Sequence, residues 1–109
     1  MKYVLMFTGS QDDPSPSPEV YGRIMEWFQT NGSKIVGGEE LQGTSTATTV
    51  RFKDGKPVVT DGPFIETKEV ISGYAEVEVA DLDEAIALAK GWPGQGAVEI
   101  RPTIHHGPS

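Results

Sequence analysis

An α+β domain of the ferredoxin-like split βαβ arrangement is what three features of the sequence predict. Two segments of helical periodicity each follow an N-terminal capping signal, and strand-like segments flank and separate them. The order that results is β-α-β-β-α-β with insertions, which puts both helices on one face of an antiparallel sheet. The chain of 109 residues is the size of one compact core, so residues 1–104 are taken as a single domain and 105–109 as a tail.

The first strand is expected over Lys2–Thr8, with Tyr3, Leu5 and Phe7 on one face and Val4 and Met6 on the other. Apolar residues on both faces imply cover on both. Helices can supply one layer. A second sheet stacked face to face would supply the other, so a homodimer is expected. Gly9–Pro18, rich in Ser, Asp and Pro, reads as a loop that ends on Ser17 as N-cap and Pro18 as the first helical residue. Val20, Ile24, Trp27 and Phe28 then recur at helical spacing, and Asn31-Gly32 suggests a left-handed C-cap. The aromatic stripe is most simply core, with ligand stacking by Trp27 the less favoured alternative.

Ile35–Leu41 reads as a strand running through Gly37-Gly38, and the hydroxyl-rich Ser45–Thr49 as the start of another. In that next strand Thr48, Val50 and Phe52 share a face, opposite Arg51 and Lys53. Asp54-Gly55 is a hairpin turn, with Val58–Thr60 as the returning strand and Pro57 at an edge or bulge. Ile71–Ala80 alternates, setting Ile71, Gly73, Ala75, Val77 and Val79 against Ser72, Tyr74, Glu76 and Glu78. Asp81 and Glu84 form a capping box ahead of a short helix with Leu82, Ala85, Ile86 and Ala89 as its buried stripe, ending at Gly91. Ala97–Ile104 is the last strand, with Val98, Ile100 and Ile104 opposite Glu99, Arg101 and Thr103.

Composition removes several function classes. No Cys is present, so disulfides, Cys-ligated zinc, iron–sulfur clusters and thiol catalysis are excluded. A formal charge of −7, with scattered Lys and Arg, argues against direct nucleic-acid or anionic-lipid binding. No apolar run approaches the length of a membrane helix and the opening residues lack a signal-peptide cleavage site, so no membrane association and a cytoplasmic location are expected. Neither GxGxxG nor a glycine loop followed by Lys-Ser/Thr occurs, and His105-His106 would point apart on a strand. No cofactor and no metal are expected.

The stretch Thr60–Glu69 needs separate treatment, because neither helical nor strand periodicity accounts for it. Gly62 permits backbone angles other residues avoid, and Pro63 fixes its own φ while pushing Gly62 out of the α region. Such a turn gives Asp61 and Phe64 defined directions. Glu66, Lys68 and Glu69 follow, charges that no amphipathic face requires.

Thr60-Asp61-Gly62-Pro63-Phe64, then Glu66-x-Lys68-Glu69, Gly73-Tyr74, Asp81-Leu82-Asp83-Glu84-Ala85 and Val98-Glu99-Ile100-Arg101-Pro102 resemble the DGPF-domain branch of the YCII-related proteins. Met1-Lys2-Tyr3 and Gly37-Gly38-Glu39-x-Leu41 are similar too. The resemblance implies a dimeric α+β barrel in a bacterial cytoplasm and an association with extracytoplasmic-function sigma factors. It also implies a cleft as the place of function. The wider group's proposed His–Asp pair has no counterpart here, since the only histidines are His105 and His106.

Two functions follow from these residues. In the first, the chain binds a small molecule in the barrel cleft, with a regulatory role tied to a sigma factor as possible partner. Gly62, Pro63, Phe64, Lys68, Tyr74 and Arg101 are then the ligand-binding candidates. In the second, it is an isomerase, lyase or hydrolase with Asp61 or Glu66 as general base and Arg101 binding the substrate. Structural roles compete at each position: a turn cap for Asp61, surface ion pairs for Glu66, Lys68 and Glu69, and a cross-strand pair for Glu99 and Arg101.

Overall fold

A computed structural model describes residues 1–10, 16–64 and 69–106. The elements run β1 (Lys2–Ser10), α1 (Pro18–Thr30), β2 (Ile35–Glu40), a 3-10 turn (Thr44–Thr46), β3 (Thr48–Lys53), β4 (Lys56–Asp61), β5 (Glu69–Glu78), α2 (Leu82–Lys90) and β6 (Val98–Pro102). Four strands form an antiparallel sheet in the order β2-β5-β1-β6, and β3 and β4 form a separate hairpin. With the hairpin set aside as an insertion, this is the ferredoxin-like plan expected from the sequence.

The helices cover one face of the sheet. Tyr3, Leu5 and Phe7 of β1 and Ala75 and Val77 of β5 share a buried core with Trp27 of α1 and Ala85 and Leu88 of α2. The opposite face carries Val4 and Met6, half-buried, with Glu76 and Arg101 flanking Val4 and with Tyr74 and Glu99 flanking Met6.

Local signals shaped the elements largely as expected. The Ser17 hydroxyl accepts from the Val20 N–H at 3.2 Å, and Asp81 Oδ1 accepts from the Glu84 N–H at 3.0 Å. Each satisfies a donor that the first helical turn leaves without an intrahelical partner. Asp54 and Gly55 have φ of 53° and 78° and join Lys53 to Lys56, the geometry of a two-residue hairpin turn.

Several expectations are corrected. Asn31 closes α1 with φ −102° rather than a left-handed angle, because its own side-chain amide donates to Trp27 O at 2.9 Å and makes that conformation unnecessary. Ser45 lies in the 3-10 turn, where Thr46 Oγ1 bonds Gly43 O at 2.8 Å, so the strand starts at Thr48. Hydroxyl side chains here compete with a sheet ladder. Ile71 is exposed, since β5 shifts register against β1 between Phe7 and Thr8, with Phe7 opposite Gly73 and Thr8 opposite Ile71. The extra residue, Ser72, breaks the alternation. On α2 the buried side chains are Ala85 and Leu88, while Leu82 is exposed beside the cap. The last strand stops at Pro102, and Ile104 is exposed.

Candidate ligand-binding cleft

The C-terminal end of β1, the first turns of α1, the 3-10 turn, the start of β5 and the loop after α2 enclose a cavity of about 560 Å³. Val20 and Ile24 of α1, Val70 of β5 and Trp92 supply apolar wall. Thr8, Ser17, Thr44 and Ser72 supply hydroxyls, and Gln95 an amide. No side chain lining it among the described residues is acidic, basic or histidine.

Trp92 is fixed by an aromatic cluster. It stacks on Phe7 with centroids 3.9 Å apart and planes at 16°. Trp27 meets Phe7 edge-on at 5.8 Å and Trp92 at 5.2 Å, and Phe28 meets Trp27 edge-on at 5.0 Å. These are the offset-stacked and T-shaped arrangements that ring quadrupoles favour. The Trp27 indole N–H donates to Leu88 O at 3.1 Å, which pins α1 to α2 and makes Trp27 a core residue.

The hydroxyls of Thr8 and Ser72 are tied as well, so this side of the cleft is shaped before anything enters it. Thr8 Oγ1 both donates to Ala97 O at 3.1 Å and accepts from the Ala97 N–H at 3.2 Å. Ser72 Oγ donates to Phe7 O at 3.1 Å across the bulge. Each hydroxyl has one donor and two acceptor positions, so capacity for a ligand remains after these bonds.

Those residues expected from sequence to form the site that the structure describes lie on two other surfaces. Asp61 is the last residue of β4, exposed and paired with Thr48. Gly62 has φ 110°, as the turn required; its N–H donates to Ala47 O at 2.8 Å and its carbonyl accepts from Thr49 Oγ1 at 2.6 Å. Pro63 is half-buried, and Phe64 is 66% exposed. Arg51, which the sequence marked only by its strand face, organises this turn. Its guanidinium donates to Phe64 O at 2.6 Å and to Thr60 Oγ1 at 3.3 Å, and lies 5.4 Å from the Phe64 ring centroid. Tyr74 and Arg101 stand on the open sheet face, on the two strands that flank β1. Glu66 and Lys68 fall outside the described residues.

Thr8, Ser17, Thr44, Ser72 and Trp92 were not singled out for a site from the sequence. Ser17 was read as a cap and Trp92 as part of a helix-breaking triplet, both of which are also true. Among the described residues no group of three or more His, Cys, Asp or Glu gathers as a metal site, and no helix is long and apolar enough to cross a membrane.

An α+β chain with a cleft that carries no charged side chain among its described lining residues is the class defined so far. The chain belongs to the YCII-related family, whose domain it matches over residues 1–105. It is 39% identical over 72 residues to an uncharacterized protein of Rhizobium meliloti, an alignment that covers 62% of this chain and 58% of that relative. The chain thus spans little more than half of that relative. Among solved structures it resembles the 5-chloro-2-hydroxyhydroquinone dehydrochlorinase TftG of Burkholderia phenoliruptrix, in complex with 2,5-dihydroxybenzoquinone. The TM-score is 0.55, with 14% identity, over 97% of this chain and 96% of that one. At that identity the likeness is one of fold.

Proposed function

We propose that this protein binds a small, flat, uncharged ring compound carrying hydroxyl or carbonyl groups in the cleft beside Trp92. The observation that carries this is the lining: apolar wall from Val20, Ile24, Val70 and Trp92, with hydroxyls at its edge and no charged side chain among the described residues. An apolar cavity with a few convergent polar groups is the usual form of a small-molecule site, and 560 Å³ is within the range for one. The compound in the structurally similar dehydrochlorinase complex is also a small flat ring with hydroxyl and carbonyl groups, which supports the choice of shape; its hydroxyls are vinylogous acids, so it does not support the choice of charge.

Binding is placed ahead of turnover because general acid–base chemistry needs a titratable group within reach of the reacting atom. The enzyme alternative, with Asp61 or Glu66 as base and Arg101 holding the substrate, requires in its Asp61 form that the end of β4 and the open sheet face be brought together. A binder without turnover would suit a regulatory role, including the link to sigma factors that the family resemblance implies.

Calorimetric titration of the full chain with hydroquinones and with benzoquinones that carry no ring hydroxyl, all neutral near pH 7, tests this. Saturable binding is expected in the wild type and in Asp61→Ala, and its loss in Val20→Trp, which fills the cavity. Absence of binding by every compound overturns the proposal. Loss in Asp61→Ala with retention in Val20→Trp moves the site to the hairpin turn.

A further inference from the structure

The hydroxyls of the cleft are not interchangeable, because their protons are committed differently. A carbonyl oxygen only accepts, so a hydroxyl bonded to one has used its single proton there. Thr8 Oγ1 gives its proton to Ala97 O at 3.1 Å and a lone pair to the Ala97 N–H at 3.2 Å. Ser72 Oγ gives its proton to Phe7 O at 3.1 Å. Both line the cavity from the bulge between β1 and β5, where Thr8 is opposite Ile71 and Ser72 is the extra residue. What the pair retains for a guest is lone pairs alone.

Donors remain elsewhere on the lining. Ser17 Oγ accepts from the Val20 N–H at 3.2 Å, and its proton has no acceptor among the described residues. The Thr44 hydroxyl and the Trp92 indole N–H have no partner among them either. Gln95 carries both a donor and an acceptor, so it does not discriminate.

A guest oxygen set against Thr8 and Ser72 must therefore bring a proton, while an oxygen set against Ser17, Thr44 or Trp92 must accept one. A phenolic hydroxyl can do either. A quinone carbonyl only accepts, so at the bulge it would put lone pairs against lone pairs. Turning either hydroxyl toward it would break the bond to Ala97 O or to Phe7 O. A polar group left without a partner costs more than a formed bond gains, which is how a site built for a hydroxyl rejects an analogue that lacks it.

We propose that the cleft selects the reduced, hydroxyl-bearing form of its ring compound over the oxidised, carbonyl-bearing form, and that Thr8 and Ser72 set this preference. The inference rests on the cleft as a ring-binding site and goes further by choosing between hydroxyl and carbonyl. The two forms differ by two electrons and two protons, so occupancy of the cleft follows the redox state of the compound.

Calorimetric titration of the full chain with hydroquinone and with 1,4-benzoquinone, under argon, is the test. The wild type is expected to bind hydroquinone about tenfold more tightly. Ser72→Ala and Thr8→Val are each expected to weaken hydroquinone binding alone and so reduce the preference, whereas Thr8→Ser, which keeps the hydroxyl, retains it. Equal affinities in the wild type, or a preference for benzoquinone, overturn this inference and leave the ring-binding reading standing. Binding of neither compound overturns both. A full preference that survives in Ser72→Ala and in Thr8→Val overturns its assignment to these two hydroxyls.

Discussion

The four-stranded sheet and the β3–β4 hairpin are built from the same kinds of residue, yet one is finished within the chain and the other is not. In the sheet, the apolar alternation of β1 and β5 meets two helices, and Leu5, Ala75, Val77 and Ala85 lose all solvent contact. In the hairpin, the side that carries Val50, Phe52 and Val59 stays exposed, and Phe52 keeps three-quarters of its surface in water. Both are held by antiparallel backbone pairing, unbroken in the hairpin and interrupted in the sheet by the bulge at Ser72. Ladder bonds give a ribbon its shape, but burial of side chains makes it stable. The hairpin therefore has its shape without cover on the side of Val50, Phe52 and Val59.

The largest effect expected from breaking this contrast is at Leu5. Leu5→Ala opens a cavity at the centre of the sheet and should cost about 2–5 kcal/mol. That is a large share of the roughly 5–15 kcal/mol that holds a domain of this size together. Urea titration should show the midpoint fall with the slope unchanged.

A smaller effect is expected at Ser17, where Ser17→Ala removes the α1 cap and should cost about 1 kcal/mol. Because Ser17 also lines the cleft, titration with a ring compound that binds should show weaker affinity in the same variant. Gly55→Ala should cost about 1 kcal/mol through its positive φ alone, since an added Cβ there meets no atom within 4 Å. Hydrogen exchange should quicken in β3 and β4 while the β1 and β5 amides keep their protection.

The smallest effect concerns Tyr21, whose hydroxyl donates to Glu40 Oε2 at 2.6 Å. That hydrogen bond, then the Glu40 charge, raises the phenol above its ordinary value of 10.0. A pKa raised in the folded state stabilises below the unfolded value, and the contribution is lost as pH rises through the folded one. The contact therefore matters at neutral pH and disappears only above pH 10. Ultraviolet titration should show one of the three tyrosines ionising late, and Glu40→Gln should lower its midpoint.

The contrast also separates what was legible in the sequence from what was not. Ser17-Pro18, Asp54-Gly55 and Asp81 act within a few residues of themselves, so their local chemistry could be read and the element order followed from it. Ile71 and Leu82 were misplaced because strict periodicity was carried through a bulge at Ser72 in one case and onto the exposed helix start in the other. The cleft was illegible for a different reason. Thr8, Ser17, Thr44, Ser72 and Trp92 come from five separate parts of the chain, and each has an adequate local role that hides the shared one. The Asp61–Phe64 turn, by contrast, stood out because it is contiguous, and the structure places it at the base of the hairpin rather than at the cleft.

One junction has a practical meaning for how this protein can change. A Cβ at Gly96, where φ is 82°, would collide with the Thr8 carbonyl, and the next residue is held on both its N–H and its C=O by the Thr8 hydroxyl. At the other end, the Trp92 N–H is anchored on Ala89 O at 3.1 Å. Residues 93–95 are thus a short lip clamped at both ends, and Gly94 and Gln95 of it line the cavity. Of its residues that line the cavity, Gln95 can be exchanged to suit a wider or a more polar guest, whereas a Cβ at Gly94 would collide with the Trp92 indole. Selection for new binding preferences would have to work around both Gly94 and Gly96.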